Sequence, residues 1–212
     1  MVLKNTLKND IKIIDESQAT YSIWKQAANI IIQGIPNSII SHFGVQFNIL
    51  FYRYMAESAG ACAFFAINSD ALLDGIIIGA LDRDKVYYNS IRRKPLTMLI
   101  SASYRLFSPS AIKWVLNGLL TNNKKNTQNN NHNLAELIVI AVSPTARGKG
   151  VAQLLVNAME YRFREMGCCT GYAIYTERSN IASNKFYAKI GAQLVSTDQF
   201  HGREINRWHK GL

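Results

Sequence analysis

The chain has 212 residues, 48% of them hydrophobic, and a formal net charge of +10. That length and apolar content suffice for one sizeable core and exclude wholesale disorder. The charge implies affinity for an anion without naming it: a phosphate-bearing small molecule, a nucleotide, anionic lipid and nucleic acid all fit.

In chain order, residues 1–15 hold lysines but no apolar h-region, so no secretory signal is expected. Ile11 to Ile14 reads as a first short strand. Ile23, Trp24, Ala27, Ile30 and Ile31 follow at helical spacing, closed by Gly34 and Pro36. A second helix is predicted from Asn37 or Ser38 to Met55, with a wide apolar face from Ile39 to Tyr54. Ala61–Ile67 and Gly75–Leu81 are apolar runs separated by Asn68, Ser69, Asp70 and Asp74, the pattern of an antiparallel hairpin.

Residues 83–133 differ from the rest. They hold nine Lys or Arg against the single acid Asp84, a net +8 and most of the whole-chain charge. Helices are predicted over Leu96–Leu106 and Ala111–Leu120, broken at Ser108-Pro109, followed by an Asn/Lys linker from Asn122 to Asn133. This insertion reads as a helical cover with solvated cations, or as a specificity or anionic-surface element.

Glu136 to Val142 is the next strand. A basic turn, Ser143-Pro-Thr-Ala-Arg147-Gly-Lys-Gly150, leads into an amphipathic helix over Val151–Met166, with Asn157, Glu160, Arg164 and Glu165 towards water. Backbone N–H groups at that helix start, with Arg147 and Lys149 beside them, suit a phosphate. Thr170–Thr176 reads as a strand and Ile181–Ile190 as a short helix. Ala192–Ser196 and Glu204–Trp208 read as a final strand pair. Cys62, Cys168 and Cys169 are odd in number and two are adjacent, which favours a reduced, cytoplasmic setting over a disulfide framework. The four histidines show no metal-ligand spacing, so no metal is expected. No run of about 18 apolar residues predicts a membrane span.

Three phosphate or nucleophile motifs fail. Val151 stands where a Walker loop needs Lys after Gly150, Gln153 stands where a dinucleotide fingerprint needs its third Gly or Ala, and Gly-x-Ser-x-Gly is absent. What does fit is Arg147-Gly-Lys-Gly150-Val-Ala152 between an apolar strand and an amphipathic helix. It resembles the Gln/Arg-x-x-Gly-x-Gly/Ala signature of the GNAT superfamily of acyl-CoA-dependent N-acetyltransferases. Asn180-Ile-Ala-Ser-Asn-Lys-Phe-Tyr187, followed by Lys189-Ile-Gly191, resembles the same family's later helix. The likeness covers 130–212 well. Residues 1–82 agree in their order of elements, and 83–133 lie beyond the minimal fold.

The resemblance implies an α/β fold of the α+β kind. One domain over 1–212 would hold a mixed, mostly antiparallel sheet flanked by helices, with a basic helical insertion before the central strand. It implies that the backbone of Val139, Ile140, Ala141 and Val142 pairs with the pantetheine arm of acetyl-CoA. Amides of Arg147, Gly148, Lys149, Gly150, Val151 and Ala152 would hold the pyrophosphate, and Asn180 would bond the pantetheine region. Tyr187 would stand near the thioester sulfur, where a phenol can protonate a leaving thiolate. Glu136 would be the base if burial raises its pKa; its alternative is a solvent-facing strand end.

For the acceptor, the insertion's charge argues against polycations and suits an anionic amine. An amino-sugar nucleotide comes first and a protein or peptide amine second, with Arg92, Arg93 and Lys94 as candidate acceptor contacts. The rival reading is a non-catalytic acyl-CoA binder, or a protein that docks on an anionic membrane surface through 83–133. No nucleic-acid recognition motif is present, and homodimer formation stays open.

Overall fold

The protein is described by a computed structural model over residues 11–36, 38–94, 96–97, 100–101, 135–168, 170–200 and 202–212. In chain order the elements are β1 (Lys12–Asp15), α1 (Tyr21–Gly34), α2 (Ile39–His42), α3 (Gly44–Ala56), β2 (Ala61–Ile67), β3 (Leu73–Ala80) and α4 (Arg83–Arg93). Then come β4 (Ala135–Val142), a 3-10 turn (Pro144–Ala146), α5 (Val151–Glu165), β5 (Tyr172–Glu177), α6 (Ile181–Lys189), β6 (Gln193–Phe200) and β7 (Arg203–Lys210). One sheet runs in the order β1-β2-β3-β4-β5-β7-β6. Among the described residues only β4 and β5 pair in parallel, so the sheet is mixed and mostly antiparallel, as expected.

Both faces of the sheet are covered, which is why β2 and β3 read as unbroken apolar runs. Ile76, Ile78 and Ala80 of β3 join the core under α1, α3 and α4. Ile77 joins the other core, under α5 and α6. On that second face Gly75 and Gly79 leave a groove into which α5 settles. A Cβ on Gly79 would stand 2.6 Å from Phe163 Cζ, and one on Gly75 3.0 Å from Leu155 Cδ1. Val151, Leu155, Met159 and Phe163, one stripe of α5, are buried there as their spacing predicts. Glu160 departs from expectation. It turns inward, accepts a hydrogen bond from the Tyr172 hydroxyl at 2.9 Å and lies 3.8 Å from Lys210 Nζ.

The predicted single helix up to Met55 is two helices. Gly44 has φ +82°, and Asn48 Nδ2 donates to the carbonyls of Ile40 (2.7 Å) and Gly44 (2.8 Å), stitching α2 across the break. Helix α4 was not expected, because its sequence is strongly polar; among its described side chains only Val86 and Ser90 are buried. Its start is nonetheless written locally: Asp82 caps it by accepting from Lys85 N at 3.0 Å. Of the predicted helix Leu96–Leu106, only Leu96, Thr97, Ile100 and Ser101 are described, and all four are helical. Ala111–Leu120, the linker Asn122–Asn133 and Cys169 lie outside the described residues. Among the described residues no helix is long and apolar enough to cross a membrane.

Candidate active site

Strands β4 and β5 stay paired only from Ala135 to Leu137 against Tyr172 to Ile174. The next residue of β4 is a bulge: Gly79 faces Leu137 and Ile78 faces Val139, so Ile138 has no partner on β3. An extra residue bends a strand and increases its twist, and this one sits where the two strands part. Beyond it β4 keeps β3 on one edge and an open cleft of about 1540 Å³ on the other, lined by Leu137 to Val142. That exceeds the roughly 300–1000 Å³ of an ordinary small-ligand pocket, leaving room for an extended cosubstrate and a second reactant.

At the mouth of the cleft stand Arg147, Gly148, Gly150, Val151 and Ala152. The first bond into α5 runs from Leu154 N–H to Gly150 O at 3.2 Å, so the amides of Val151, Ala152 and Gln153 lie ahead of the helical ladder. Gly148 and Gly150 have φ of +77° and +84°, and a Cβ at either would meet nothing within 4 Å. The Lys149 amide donates to Ala146 O at 3.4 Å, and the rest of the turn is an open cradle of donors at the positive end of a helix with no acid in its first turn. It fits a pyrophosphate. Arg147 adds its guanidinium, whose Nε donates to Val142 O at 3.3 Å. Lys149 is exposed and is not part of the cleft wall.

Tyr187 and Glu136 lie on opposite faces of the sheet, and of the two only Tyr187 lines the cleft. Tyr187 is 4% exposed on α6, in the core beneath α5, with its ring 6.4 Å from that of Trp208. Burial pushes its phenol above the ordinary range, so it stays protonated. Glu136 shares its register row with Ala80 and Ala173, and Arg83 of α4 lies against it, Nε to Oε1 3.6 Å. Burial raises its carboxyl to about 7; Arg83 and Arg207 oppose the rise and Asp84 adds to it. Its side chain is only 14% exposed, which removes the solvent-facing alternative. Glu136 itself does not line the cleft, whereas Arg83 and Tyr52 do.

Asn180 lines the cleft, with its Oδ1 occupied as the cap of α6 by Ser183 N at 3.1 Å. The unforeseen residue here is Asn184. Its Nδ2 donates to the carbonyls of Asn180 (2.8 Å) and Glu177 (3.0 Å), and its Oδ1 accepts from Asn206 Nδ2 (2.9 Å) and Trp208 Nε1 (3.1 Å). It thus ties the helix that carries Tyr187 to β5 and β7. Arg83 and Tyr52 were also missed. Arg92 and Arg93 do not line the cleft: Arg92 lies over the Tyr88 ring, and Arg93 pairs with Glu57 and lies over Tyr54.

A family model described as the acetyltransferase (GNAT) family matches residues 39–192. Among proteins with curated descriptions, none matches the sequence. Solved structures share the fold at low identity. A GCN5-related N-acetyltransferase from Kribbella flavida is 14% identical, with 96% of this chain and 98% of that one covered and a TM-score of 0.57. The NatC complex bound to Gag peptide and CoA gives 14%, 96%, 99% and 0.58. The ribosomal-protein-S18-alanine N-acetyltransferase from Escherichia coli gives 12%, 94%, 91% and 0.54.

Proposed function

This chain belongs to the GNAT family of acetyltransferases, whose acyl donor is acetyl-CoA, and on that premise we propose that it acetylates the primary amine of an anionic small molecule. The observation that carries the reading is the parting of β4 from β5 at Leu137 and Ile174, with the Gly148–Gly150 cradle at the mouth of the gap. Pantetheine amides bond the free edge of Val139–Val142, the pyrophosphate sits on the amides of Arg147 to Ala152, and Asn180 Nδ2 bonds the pantetheine arm. The thioester then lies at the floor, between Tyr187 and the Glu136 corner.

The amine nitrogen attacks the carbonyl carbon directly and the C–S bond breaks. Tyr187, protonated and on the cleft wall, gives a proton or a hydrogen bond to the departing thiolate. Glu136, with a pKa brought to about 7, takes the proton released by nitrogen, directly or through a water. The products are an amide and free CoA thiol, and no covalent enzyme intermediate is needed. Cys62 is fully buried with its thiol pushed up to about 12, which supports a structural role for it.

Thiol release from acetyl-CoA against a panel of amines tests the proposal, with amino-sugar nucleotides first and peptide amines second. Amine-dependent release is expected. Tight CoA binding with no release for any amine would instead indicate the non-catalytic binder.

A further inference from the structure

Glu136 is a largely buried carboxylate behind the cleft wall, and of the two cleft-lining arginines that act on it, Arg83 and Arg207, the one in an ion pair with it comes from α4. Arg83 and Glu136 are 3.6 Å apart, an ion pair too long for a good hydrogen bond. The partners are unequal. The Arg83 side chain is 50% exposed and on the cleft wall, whereas that of Glu136 is 14% exposed and behind it. Helix α4 is anchored elsewhere: Val86 is fully buried, Tyr87 packs edge-on against Phe51 at 5.3 Å, and Arg93 pairs with Glu57. Its backbone is therefore held while its first-turn arginine has solvent to swing into.

An amine bound to Glu136 must take the place that Arg83 holds. A purely cationic acceptor would do so against the like charge of the displaced guanidinium, in a corner that Arg207 makes still more positive. An acceptor with an anionic group a few bonds from its nitrogen has no such conflict. Its ammonium replaces Arg83 on Glu136, and its anion takes Arg83. We infer that Arg83 is the docking point for the acceptor's own anionic group, a carboxylate or phosphate close to the amine, and that docking draws Arg83 off Glu136 and uncovers the base. This rests on the acetyl-transfer reading above and names the substrate class within it.

The test uses the full chain with acetyl-CoA and matched amines. Glycine, β-alanine and 4-aminobutyrate are each compared with their carboxamides, and O-phosphoethanolamine with ethanolamine. The expected result is kcat/KM at least 10-fold higher for the anionic member of at least one pair. The carboxylate and phosphate arms tell which anion is preferred. In Arg83→Gln that preference falls to within about 2-fold, the KM for acetyl-CoA is unchanged, and Arg83→Lys recovers part of the preference. With the neutral amines, loss of Arg83 also moves the acid limb of the pH profile upwards, which a merely structural role would not do. Equal rates within every pair, or a preference that survives in Arg83→Gln, would overturn the inference while amine-dependent thiol release left the acetyl-transfer reading standing. No thiol release with any amine would remove both.

Discussion

The two walls of the cleft are built on different plans. The wall proposed for the cosubstrate is mostly backbone: the free edge of β4, the open turn at Gly148 and Gly150, and the start of α5. The corner proposed for the acceptor is mostly side chains from separate parts of the chain: Tyr52 on α3 and Arg83 on α4, with Glu136 of β4 behind Arg83. Backbone groups recognise a ligand whatever residue carries them, provided the conformation is kept. Side-chain recognition depends on which residues meet. The first wall should therefore suit a common donor, and the second should decide the acceptor.

If the walls divide labour this way, substitutions on each should leave the other's ligand alone. The largest effect is expected for Glu136→Gln, a loss of about 100-fold in kcat near neutral pH, the lower end for a general base. The same variant should gain stability. The folded carboxyl titrates at about 7 against an ordinary 4.5, so the fold prefers the protonated form. Its stability contribution is whole below the unfolded pKa and declines as pH rises from about 4.5 through 7. Glutamine removes that decline, and a gain on the order of 2 kcal/mol is expected at pH 8, read from denaturant melts. In the parent, kcat/KM should rise with pH through about 7 as Glu136 ionises, and this limb should vanish in the variant.

Next is Gly150→Val. A β-branched residue at φ +84° is strained by about 2 kcal/mol, so the Kd of acetyl-CoA should rise about 30-fold in calorimetry with acceptor KM unmoved. Tyr187→Phe should slow turnover about 10-fold with both KM values kept; an unchanged rate would take the acid role from Tyr187. Smallest is Lys149→Ala, at most about 2-fold in the Kd of acetyl-CoA, because Lys149 is exposed and off the cleft wall. A 10-fold loss there would mean that charge, more than backbone, holds the phosphates.

The same division explains what the sequence disclosed. The β4 strand, the Arg147–Ala152 turn, α5 and the Asn180–Tyr187 helix are contiguous and periodic, so the fold and the elements that line the cleft were legible. Helix α4 was not, because its strongly polar sequence gives too sparse an apolar spacing to register. The Arg83–Glu136 pair joins residues 53 positions apart, and no local pattern encodes it. Asn184 looked like one more polar residue in a helix, and only the fold brings Asn206 and Trp208 to its Oδ1. The local signals that could have announced α4 are the Asp82 cap, Asp84 in the first turn and Arg92 and Arg93 in the last.

The unpartnered Ile138 makes this strand sensitive to length as well as to composition. Changing Ile138 to another aliphatic residue keeps the extra residue and hence the bend. Deleting it would let Glu136, Leu137 and Val139 follow one another against Ala80, Gly79 and Ile78 as an unbroken ladder, with every side chain still on its own face. The core would survive such a deletion, but a straightened β4 would run on beside β5 and seal the gap. Loss of the single residue Ile138 is therefore expected to leave a folded protein with no gap for the proposed donor.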